Sequence, residues 1–373
     1  MNNPFVFGKV VQGKQFCNRK IELKELEKYI SNQTSVWIYS PRRFGKTSLL
    51  VNTFSRVENV KTIYFDMFNI RNSEEFAEKY LTEICNELLN WKSGVKAALH
   101  QLSQFLKNIS PTFSVDALGN SSIGIEKGKG AKPESIASIL ELPEKLKFRQ
   151  PICIAFDEFQ EIMRIDPFLI NMMRSAFQHQ QNVSYIFLGS KESLMESIFS
   201  NTKSPFYQFG LRMNLGLIPE WELVEYIRRM FAQTKLEISD TTIKGIMQIS
   251  GNHPHYTQYV ASIAWEMILE GNEQNEEFIE HCLNRILLSQ SETFYFLYEQ
   301  FNSNQRKVLY ALSQEDKISI YSEDVRIRYE LPNSSTLTTA LSGLQKKSVI
   351  QKSNGSYYIE NPIFKLWIKS IRR

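Results

Sequence analysis

The stretch Val36–Leu50, VWIYSPRRFGKTSLL, decides how the first half of this chain is interpreted. Its apolar run, Val36–Tyr39, is typical of a buried strand, and the residues from Lys46 onward are typical of a helix. Between them, residues 40–47 read S-P-R-R-F-G-K-T and match the phosphate-binding pattern GxxxxGK[ST], except that Ser40 replaces the first glycine. Strand, loop and helix in this order predict a nucleotide phosphate site. The alternative is an ordinary strand–helix turn.

The chemistry of a phosphate loop gives several of these residues a role. Backbone N–H groups turn inward around the phosphates at the positive end of a helix, and a side chain at Gly45 would crowd them. Lys46 supplies a positive charge, and the Thr47 hydroxyl ligates Mg²⁺. Serine fits position 40 because Pro41 biases it toward an extended conformation, although the lost glycine is expected to weaken affinity. The predicted nucleotide-binding residues of the loop are Ser40, Pro41, Arg42, Arg43, Phe44, Gly45, Lys46, Thr47 and Ser48.

A second apolar run ends in two acids. The sequence PICIAFDEFQEI places Asp157 and Glu158 directly after the run Ile152–Phe156. In a phosphate-loop enzyme the first carboxylate holds the magnesium ion, usually through water, and the second polarises the attacking water. An ordinary strand-end acid pair is the alternative. Together with Lys46, the pair predicts a hydrolase rather than a protein that only binds nucleotide.

The pattern of the first half predicts an α/β fold with a parallel sheet. Apolar runs rich in Ile, Val, Tyr and Phe alternate with helical segments, an order typical of a sheet with helices on both faces. The segment Pro111–Gly130 breaks this order and predicts a hairpin inserted near 109–132 that continues into a mobile Gly/Lys linker. The predicted strands are Val36–Tyr39, Thr62–Phe65, Ile152–Phe156 and Ser184–Leu188, and the predicted helices are 20–31, Lys46–Val57, Ser73–Asn90 and Phe168–Gln178.

The second half predicts two further domains. A helical region from about Trp221 to Phe301 is interrupted at SGNHPHY. The last 70 residues or so predict a helix at Gln305–Leu312, a helix that begins at Asn333 or Ser334, and two strands around an Asn-Gly turn. This is the order of a winged helix. We therefore predict a nucleotide-binding α/β domain at 1–218, a helical lid domain at 219–301 and a winged-helix domain at 302–373.

Composition excludes several classes of protein. With 42% apolar and 23% charged residues the chain is an ordinary globular protein. No run approaches the length of a membrane helix, and the N-terminus lacks the apolar core of a signal peptide. The four cysteines are far apart and form no CxxC pair, which argues against the usual zinc spacings and disulfide frameworks. A reducing cytoplasm is the predicted location.

Six segments together resemble one known family. They are FCNRKIEL, SPRRFGKTSL, IAFDEFQEI, FLGSKESLMESIF, SPFYQFG and SGNHPHYTQYV. The combination is similar to the prokaryotic, archaeal-type ATPase family in the STAND branch of AAA+ proteins, which is related to origin-recognition ATPases. The resemblance covers roughly residues 14–373, and its most specific parts are RRFGKTSL and DEFQE. It implies an AAA+-type sheet domain followed by a helical lid and a winged helix, with ATP or ADP and Mg²⁺ as cofactors.

The resemblance implies catalytic roles for four residues and metal binding at two. Lys46 and Thr47 match the Walker A pair, and Asp157 and Glu158 match the Walker B pair. Ser190 follows the fourth strand, where these ATPases place a polar sensor of the γ-phosphate; a helix cap is the alternative. Catalytic roles therefore fall to Lys46, Asp157, Glu158 and Ser190, and metal binding to Thr47 and Asp157.

Base recognition is assigned by weaker matches. Arg19 belongs to FCNRKIEL, which resembles an entry box near the base; a surface charge or a structural ion pair are its alternatives. Pro254 in SGNHPHY resembles the lid proline that packs on adenine, whereas the residues alone show Gly251 and Pro254 as helix breakers. The family's arginine after the PFY segment has no clean match, so Arg212 is expected to form a salt bridge.

Two functions from different classes remain. The favoured one is a slow ATPase that acts as a nucleotide-controlled switch for an unknown protein effector, with oligomerisation on nucleotide binding left open. The other is an ATP-regulated DNA-binding protein that uses residues 331–355, since winged helices place a helix in the major groove. Residues 303–373 carry 12 Lys and Arg against 6 Asp and Glu, whereas the whole chain has 44 against 40. That local surplus favours DNA, but the predicted recognition helix contains no arginine.

Overall fold

The computed structural model describes residues 1–17, 19–88, 132–315, 318–353 and 355–371, the single residues Leu102 and Leu106, and the strands at 111–115 and 121–125. The chain forms two compact units. The first is Arg19–Gly216, and the second combines Met1–Asn18 with Leu217–Arg373. No helix in the described ranges is both long and apolar enough to cross a membrane.

The first unit contains seven described strands, five of which form its central sheet. They are β1 (Val36–Tyr39), β2 (Lys61–Asp66), β3 (Pro111–Val115), β4 (Ser121–Ile125), β5 (Ile152–Asp157), β6 (Val183–Gly189) and β7 (Leu211–Asn214). The sheet order is β2-β5-β6-β1-β7, and every neighbouring pair is parallel. All residues of β5 and β6 are buried, as expected for strands covered on both faces. The predicted parallel α/β fold is confirmed.

Strand β7 was not predicted from the sequence. It pairs with β1 at the edge of the sheet, and of its four residues only Met213 is buried. An edge strand with one buried side chain has no continuous apolar run, so the signal that revealed the other strands is missing here.

The register of the sheet brings the predicted functional residues to one edge. Tyr39, the last residue of β1, lies opposite Gly189 of β6, and Asp157, the last residue of β5, lies opposite Asp66 of β2. The phosphate loop follows β1 and Ser190 follows β6. Since all these strands run in the same direction, their carboxyl ends share the edge where ligands of open α/β sheets bind.

Eight α-helices are described in the first unit, and those predicted from periodicity are present, most with slightly different ends. Lys46 begins its helix as predicted, and the helix ends at Phe54 because Ser55 serves as its C-cap. Residues 89–90 of the predicted third helix lie outside the described residues. The helices are α1 (Lys20–Ser31), α2 (Lys46–Phe54), α3 (Ser73–Leu88), α4 (Pro133–Leu140), α5 (Leu142–Lys145), α6 (Ile162–Ile165), α7 (Leu169–Phe177) and α8 (Glu192–Phe199).

Aromatic side chains fix the two strands that end at the site. Phe156 of β5 stacks on Phe187 of β6 with ring centroids 5.7 Å apart. Tyr185 of β6 stacks on Phe177 of α7 at 3.9 Å. Each such pair contributes about 0.5–1.5 kcal/mol beyond its buried area. This packing holds the carboxyl ends of β5 and β6 in fixed positions.

The predicted hairpin insertion is present as the antiparallel pair β3–β4, in which Pro111 lies opposite Ile125 and Val115 opposite Ser121. The predicted Gly-Asn turn and the Gly/Lys linker lie outside the described residues.

The second unit is mostly helical and ends in a small hairpin flanked by helices. Its elements are α9 (Glu220–Gln233), α10 (Asp240–Ser250), α11 (Pro254–Leu269), α12 (Phe278–Glu299), α13 (Ser303–Gln314), α14 (Glu323–Arg328), α15 (Ser334–Lys346), β8 (Ile350–Ser353), β9 (Ser356–Ile359) and α16 (Pro362–Ile371).

Residues 1–17 pack in this second unit, whereas the sequence analysis placed them with the nucleotide-binding domain. The Phe5 ring packs against Tyr226 and Phe231 of α9 at centroid distances of 6.1 and 5.5 Å. The Asn3 amide donates to the Ser262 hydroxyl at 2.9 Å. An apolar anchor and a polar one together hold the segment. The division of this unit at residue 301 stays a prediction.

The last part of the second unit has the predicted winged-helix order. Asn333 caps α15 by accepting a hydrogen bond from the Thr336 N–H at 3.0 Å, so the helix begins where the sequence indicated. Leu337, Leu341 and Leu344 are buried on one face of α15. Strands β8 and β9 form the antiparallel wing. The buried side chains that anchor α16 are Ile363, Phe364, Trp367 and Ile368.

Candidate nucleotide-binding site

The backbone of the phosphate loop, Ser40–Thr47, depends on two left-handed residues. Gly45 has φ 88° and Arg43 has φ 65°. Apart from its two chain neighbours, a Cβ added at Gly45 would meet no protein atom within 4 Å, so the positive φ, and not a lack of space, favours glycine here. Ser40 has no positive φ. The backbone at position 40 therefore does not require the glycine that the sequence pattern lacks.

Lys46 is held inside the loop. Its side chain is 6% exposed, and its ammonium donates to the carbonyl oxygens of Ser40 at 2.7 Å and Pro41 at 3.1 Å. A buried ammonium needs such acceptors, since desolvation of an unpaired charge costs several kcal/mol. The charge of Lys46 is thus held against the carbonyl oxygens of the loop's first two residues.

Thr47 connects the loop to the acids at the end of β5. Its hydroxyl donates to Asp157 Oδ2 at 2.6 Å, and the Tyr64 hydroxyl donates to the same oxygen at 2.9 Å. The other oxygen, Oδ1, accepts from the Glu158 N–H at 2.9 Å. Residues 110 positions apart in the sequence therefore meet at one carboxylate.

Burial raises the pKa of Asp157. The side chain is 5% exposed, and desolvation of its charged form is the largest influence on the pKa. Hydrogen bonds from Thr47, Tyr64 and the Glu158 N–H lower the pKa, and the nearby Glu158 charge raises it. The net effect is a carboxylate that is costly to keep ionised unless a cation approaches. Burial and the neighbouring Asp157 charge also raise the pKa of Tyr64, which stays a proton donor at neutral pH.

Glu158 lies beside Ser190 and Gln160. Its Oε2 accepts a hydrogen bond from the Ser190 hydroxyl at 2.7 Å and one from the Gln160 amide. Ser190 is 6% exposed. It does not cap α8, because the N-cap of that helix is Lys191. The contact between Ser190 and Glu158 joins two of the predicted catalytic residues, while the sensing of a γ-phosphate stays a prediction.

Arg19 is a buried residue that supports the loop. It is 2% exposed, and its guanidinium donates to the carbonyl oxygens of Phe44 at 3.0 Å and Gly216 at 2.8 Å. It also forms an ion pair with Glu22 at 2.8 Å. Of the alternatives from the sequence, a surface charge is wrong and a structural ion pair is present. A role of Arg19 near the base stays a prediction.

The other predicted residues differ in their surroundings. Ser48 is buried in the first turn of α2, whereas Arg42 and Arg43 are exposed and Pro41 is intermediate. Arg212 forms ion pairs with Glu196 at 3.2 Å and Glu192 at 3.7 Å, as expected.

Pro254 belongs to the second unit. It begins α11, its N-cap is His253, and α10 ends before it with Gly251 at φ 58°. The helix-breaking interpretation of SGNHPHY is therefore confirmed. A contact of Pro254 with adenine stays a prediction.

The donor set at Thr47 and Asp157 fits Mg²⁺. A hydroxyl and a carboxylate are hard oxygen ligands, and they already lie within hydrogen-bond distance of each other. In the described ranges no group of three or more His, Cys, Asp and Glu residues could form a complete metal cage. Mg²⁺ usually binds through one or two protein oxygens together with phosphates and water, so this sparse set is appropriate.

Two residues of this site, Tyr64 and Gln160, were not predicted from the sequence. Tyr64 lay inside a predicted strand, and its only signal was a hydroxyl-bearing ring on a strand that could pair with β5. Gln160 lay in DEFQEI, where a polar side chain two residues after Glu158 was treated as part of the motif. The Tyr64 hydroxyl contacts Asp157, which is distant in the sequence. The Gln160 amide contacts Glu158 only because the chain turns back at Glu158.

Family models match both parts of the chain. A model described as "ATPase domain predominantly from Archaea" matches residues 16–260, more than half of the chain. A model described as "Probable winged helix domain" matches residues 292–370. The first match covers the phosphate loop, the carboxylates and Ser190. The search of curated proteins returned no match.

Solved structures share the fold at low identity. The Walker-type ATPase PABY2304 of Pyrococcus abyssi is 17% identical with a TM-score of 0.67, and the alignment covers 98% of this chain and 99% of that one. The ORC2 protein of Aeropyrum pernix, in ADPNP–ADP complexes, is 15% identical with a TM-score of 0.54 and coverages of 96% and 95%. At these identities the likeness shows the fold alone, a parallel-sheet phosphate-loop domain with a helical region and a winged helix.

Proposed function

Because this chain belongs to the family of ATPase domains found predominantly in Archaea, we propose that it binds ATP with Mg²⁺, hydrolyses it slowly and uses the bound nucleotide as a molecular switch. The observation that carries the proposal is the meeting of Thr47 with Asp157 beside the buried Lys46. A strand–helix turn without a ligand can form without a buried lysine and without a hydrogen bond from a hydroxyl to a carboxylate distant in the sequence.

Lys46 and the loop backbone bind the phosphates in this proposal. The ammonium exchanges the carbonyl oxygens of Ser40 and Pro41, which it contacts in this structure, for phosphate oxygens. A full negative charge is a better partner for a buried ammonium than two carbonyl dipoles. In this proposal the phosphates lie at the start of α2, the positive end of a helix, and the open space beside Gly45 supports that position.

Thr47 and Asp157 would hold Mg²⁺, which when bound neutralises charge on the phosphate oxygens. The raised pKa of Asp157 has the cause already described, burial of its charge. A cation near Asp157 favours its ionised form, so metal and carboxylate stabilise each other. Tyr64 keeps its hydrogen bond to Oδ2 and orients the carboxylate.

Glu158 polarises the attacking water, and Ser190 contacts the terminal phosphate. Glu158 is the partly exposed member of the carboxylate pair, which suits a group that must meet water. The Ser190 hydroxyl lies 2.7 Å from Glu158 Oε2. A terminal phosphate that contacts Ser190 would therefore lie close to Glu158, the group that polarises the attacking water.

Base recognition is proposed for Arg19 and Pro254, and the switch is proposed to act through the second unit. Arg19 supports the loop through the Phe44 carbonyl, so its effect on the base is coupled to the phosphate site.

As in STAND ATPases, the nucleotide state would be recognised by a protein effector. The cytoplasm is the proposed location, which the four buried cysteines support because none of them forms a disulfide.

The test is a thermal shift of the purified chain with ATP, ADP and GTP, each with and without Mg²⁺. A ligand that binds only the folded state stabilises it by RT ln(1 + [L]/Kd), about 2.7 kcal/mol at a hundred times Kd. We expect a larger shift with ATP and Mg²⁺ than with ATP alone, and a smaller one with GTP. No shift with any nucleotide, in protein shown free of co-purified ADP by denaturation and assay of the supernatant, would refute the proposal.

DNA binding by the winged helix is the second candidate. Its support is the basic surplus of residues 303–373 and the exposed, polar face of α15. The surplus is partly used within the protein, because Lys347 donates to the Gln300 carbonyl at 3.1 Å and lies over the Phe301 ring. Lys346 is exposed at the end of α15.

Fluorescence anisotropy with duplex DNA at 50, 100 and 200 mM salt tests this candidate. Binding that weakens along a straight line of log Kd against log salt indicates phosphate contacts. Absence of binding at 50 mM salt would leave the protein-effector switch as the function.

A further inference from the structure

We propose that Gln160 is a positioning residue for Glu158, an assignment that rests on the proposed ATPase function. Gln160 is 2% exposed and lies in the short 3-10 helix Phe159–Glu161. Glu158, which precedes this helix, has φ 51°. This left-handed turn folds the chain back, so that the Gln160 amide reaches the carboxylate two residues before it.

Gln160 closes a ring of three hydrogen bonds, which we call the Glu158 ring. The Gln160 amide nitrogen donates to Glu158 Oε2, and the Ser190 hydroxyl donates to the same oxygen at 2.7 Å. The Gln160 amide oxygen accepts from the Ser190 N–H at 3.2 Å. One side chain therefore fixes both the carboxylate at the end of β5 and the residue at the end of β6.

Gly189 permits this approach. A Cβ added there would lie 2.7 Å from the Gln160 amide oxygen and 2.3 Å from Met195 Sδ. A side chain at position 189 would thus force Met195 and the Gln160 amide to move. Glycine at position 189 is therefore part of what allows Gln160 to form the Glu158 ring.

The ring leaves the two oxygens of Glu158 with different tasks. Oε2 accepts both hydrogen bonds, whereas among the described residues no group donates to Oε1. The anchored oxygen fixes the direction of the carboxylate, and the other oxygen is presented to water. Water activation depends on such alignment, because a small displacement of a general base lowers the rate strongly. Gln160 is thereby assigned to the hydrolytic step and not to nucleotide binding.

The test compares kcat and KM for ATP in Gln160→Met, Glu158→Gln and the double variant. Methionine keeps the length of the side chain but neither donates nor accepts. We expect Gln160→Met to lower kcat about tenfold and to leave KM within about twofold of the wild-type value. This is the result expected when a general base is misaligned but the nucleotide still binds. In the Glu158→Gln background the same change should alter kcat less than about twofold, because residues that act as a unit are non-additive.

Gln180→Met is the matched control. Gln180 is also hydrogen-bonded, to the Leu140 carbonyl at 2.9 Å and to the Tyr185 hydroxyl, but it lies before β6 and so at the opposite edge of the sheet. It should leave kcat unchanged. If Gln160→Met does not fold, Gln160→Glu replaces it; this variant keeps the acceptor for Ser190 and places a like charge beside Glu158, so kcat should fall more than tenfold.

The outcomes separate this inference from the proposed function. Unchanged or increased kcat in a folded Gln160 variant, or an equal loss in the Glu158→Gln background, would overturn the positioning role alone. A wild-type protein without magnesium-dependent turnover would overturn the proposed ATPase and the role of Gln160 with it.

Discussion

The phosphate loop and helix α15 each contain short polar side chains at the start of a helix, yet their polar groups find partners at very different sequence distances. In the loop, Thr47 bonds Asp157 across 110 residues. In α15, the hydroxyls of Thr338 and Thr339 bond carbonyl oxygens four residues earlier in the same helix. The loop contacts lie in a partly buried site between strands, whereas the α15 contacts are exposed.

The two regions therefore support a function to different degrees. Long-range polar contacts in a partly buried site exist only when the whole sheet is formed, and they carry a desolvation cost that an inert turn would avoid. Hydroxyl bonds within one helix are common and form wherever the helix forms. The geometry of the first unit therefore argues for a specific ligand, while the surface of α15 is compatible with DNA without specifying it.

The largest expected effect is on Glu158. Glu158→Gln should bind ATP and Mg²⁺ normally but lower kcat about a thousandfold, because general-base catalysis contributes about 10²–10⁴ in rate. Steady-state turnover and an independent binding titration measure the two quantities. Glu161→Gln, which changes a carboxylate paired with Arg164, is the control. Unchanged turnover would remove Glu158 from the mechanism.

The next effect is on nucleotide affinity. Lys46→Ala should weaken ATP binding about a hundredfold, since a charge-assisted contact is worth about 1.5–3 kcal/mol, and circular dichroism should show an intact fold. Isothermal titration gives the affinity, and exposed Lys61→Ala on β2 serves as control. Normal affinity in Lys46→Ala would refute the phosphate-loop assignment.

A smaller effect concerns stability and its pH dependence at Asp157. In nucleotide-free protein, Asp157→Asn should raise the Tm by about 2 °C at pH 7.5, since about 1 kcal/mol corresponds to 2–4 °C in a domain of 150–250 residues. Burial, the largest influence on this carboxyl, raises the folded pKa above the ordinary value of 3.8. The folded state therefore holds the proton more tightly, and wild-type stability gains as pH falls through the raised pKa.

The Tm difference between Asp157→Asn and the wild type should accordingly shrink as pH falls through the raised pKa of Asp157. It should be absent below the ordinary pKa of 3.8. Calorimetry at several pH values measures it, with Asp66→Asn at the end of β2 as control. The variant should also lose the magnesium-dependent part of the ATP shift. A destabilised Asp157→Asn at neutral pH would show that the charge itself stabilises the free protein.

The smallest effect tests α15. Lys346→Ala should weaken DNA binding about twofold to threefold and reduce the salt slope by about one, as expected for one phosphate contact. Lys24→Ala, at an exposed position of α1, is the control. Equal weakening in both variants would show that the α15 surface has no special role in binding.

Much of the fold was predictable because its signals are local. The buried strands β1, β5 and β6 are continuous apolar runs, and Asn333 marks the start of α15 by its capping chemistry. Strand β7 was not predicted, because only Met213 of its four residues is buried and the strand has no apolar run. Its pairing with β1 is what holds it in the sheet. The grouping of Phe5 with α9 was missed for a similar reason, because a single anchoring ring gives no periodic pattern.

The candidate site divides in the same way. Lys46, Thr47, Asp157 and Glu158 were predicted because phosphate and metal chemistry restricts residue types at fixed spacing. The supporting contacts were not predictable. Tyr64 reaches Asp157 only because β2 pairs with β5, and Arg19 reaches the Phe44 carbonyl only because α1 packs beside the loop.

The sequence by itself determined a phosphate-loop α/β domain, its two carboxylates and a winged helix, because periodicity, capping and ligand chemistry are written in neighbouring residues. The tertiary structure alone decided that Ser40 needs no left-handed backbone, that Asp157 is buried enough for its pKa to rise, and that Gln160 and Ser190 share one oxygen of Glu158. These properties depend on distances and burial set by the pairing of β5 with β2 and β6, and no short stretch of sequence contains that information.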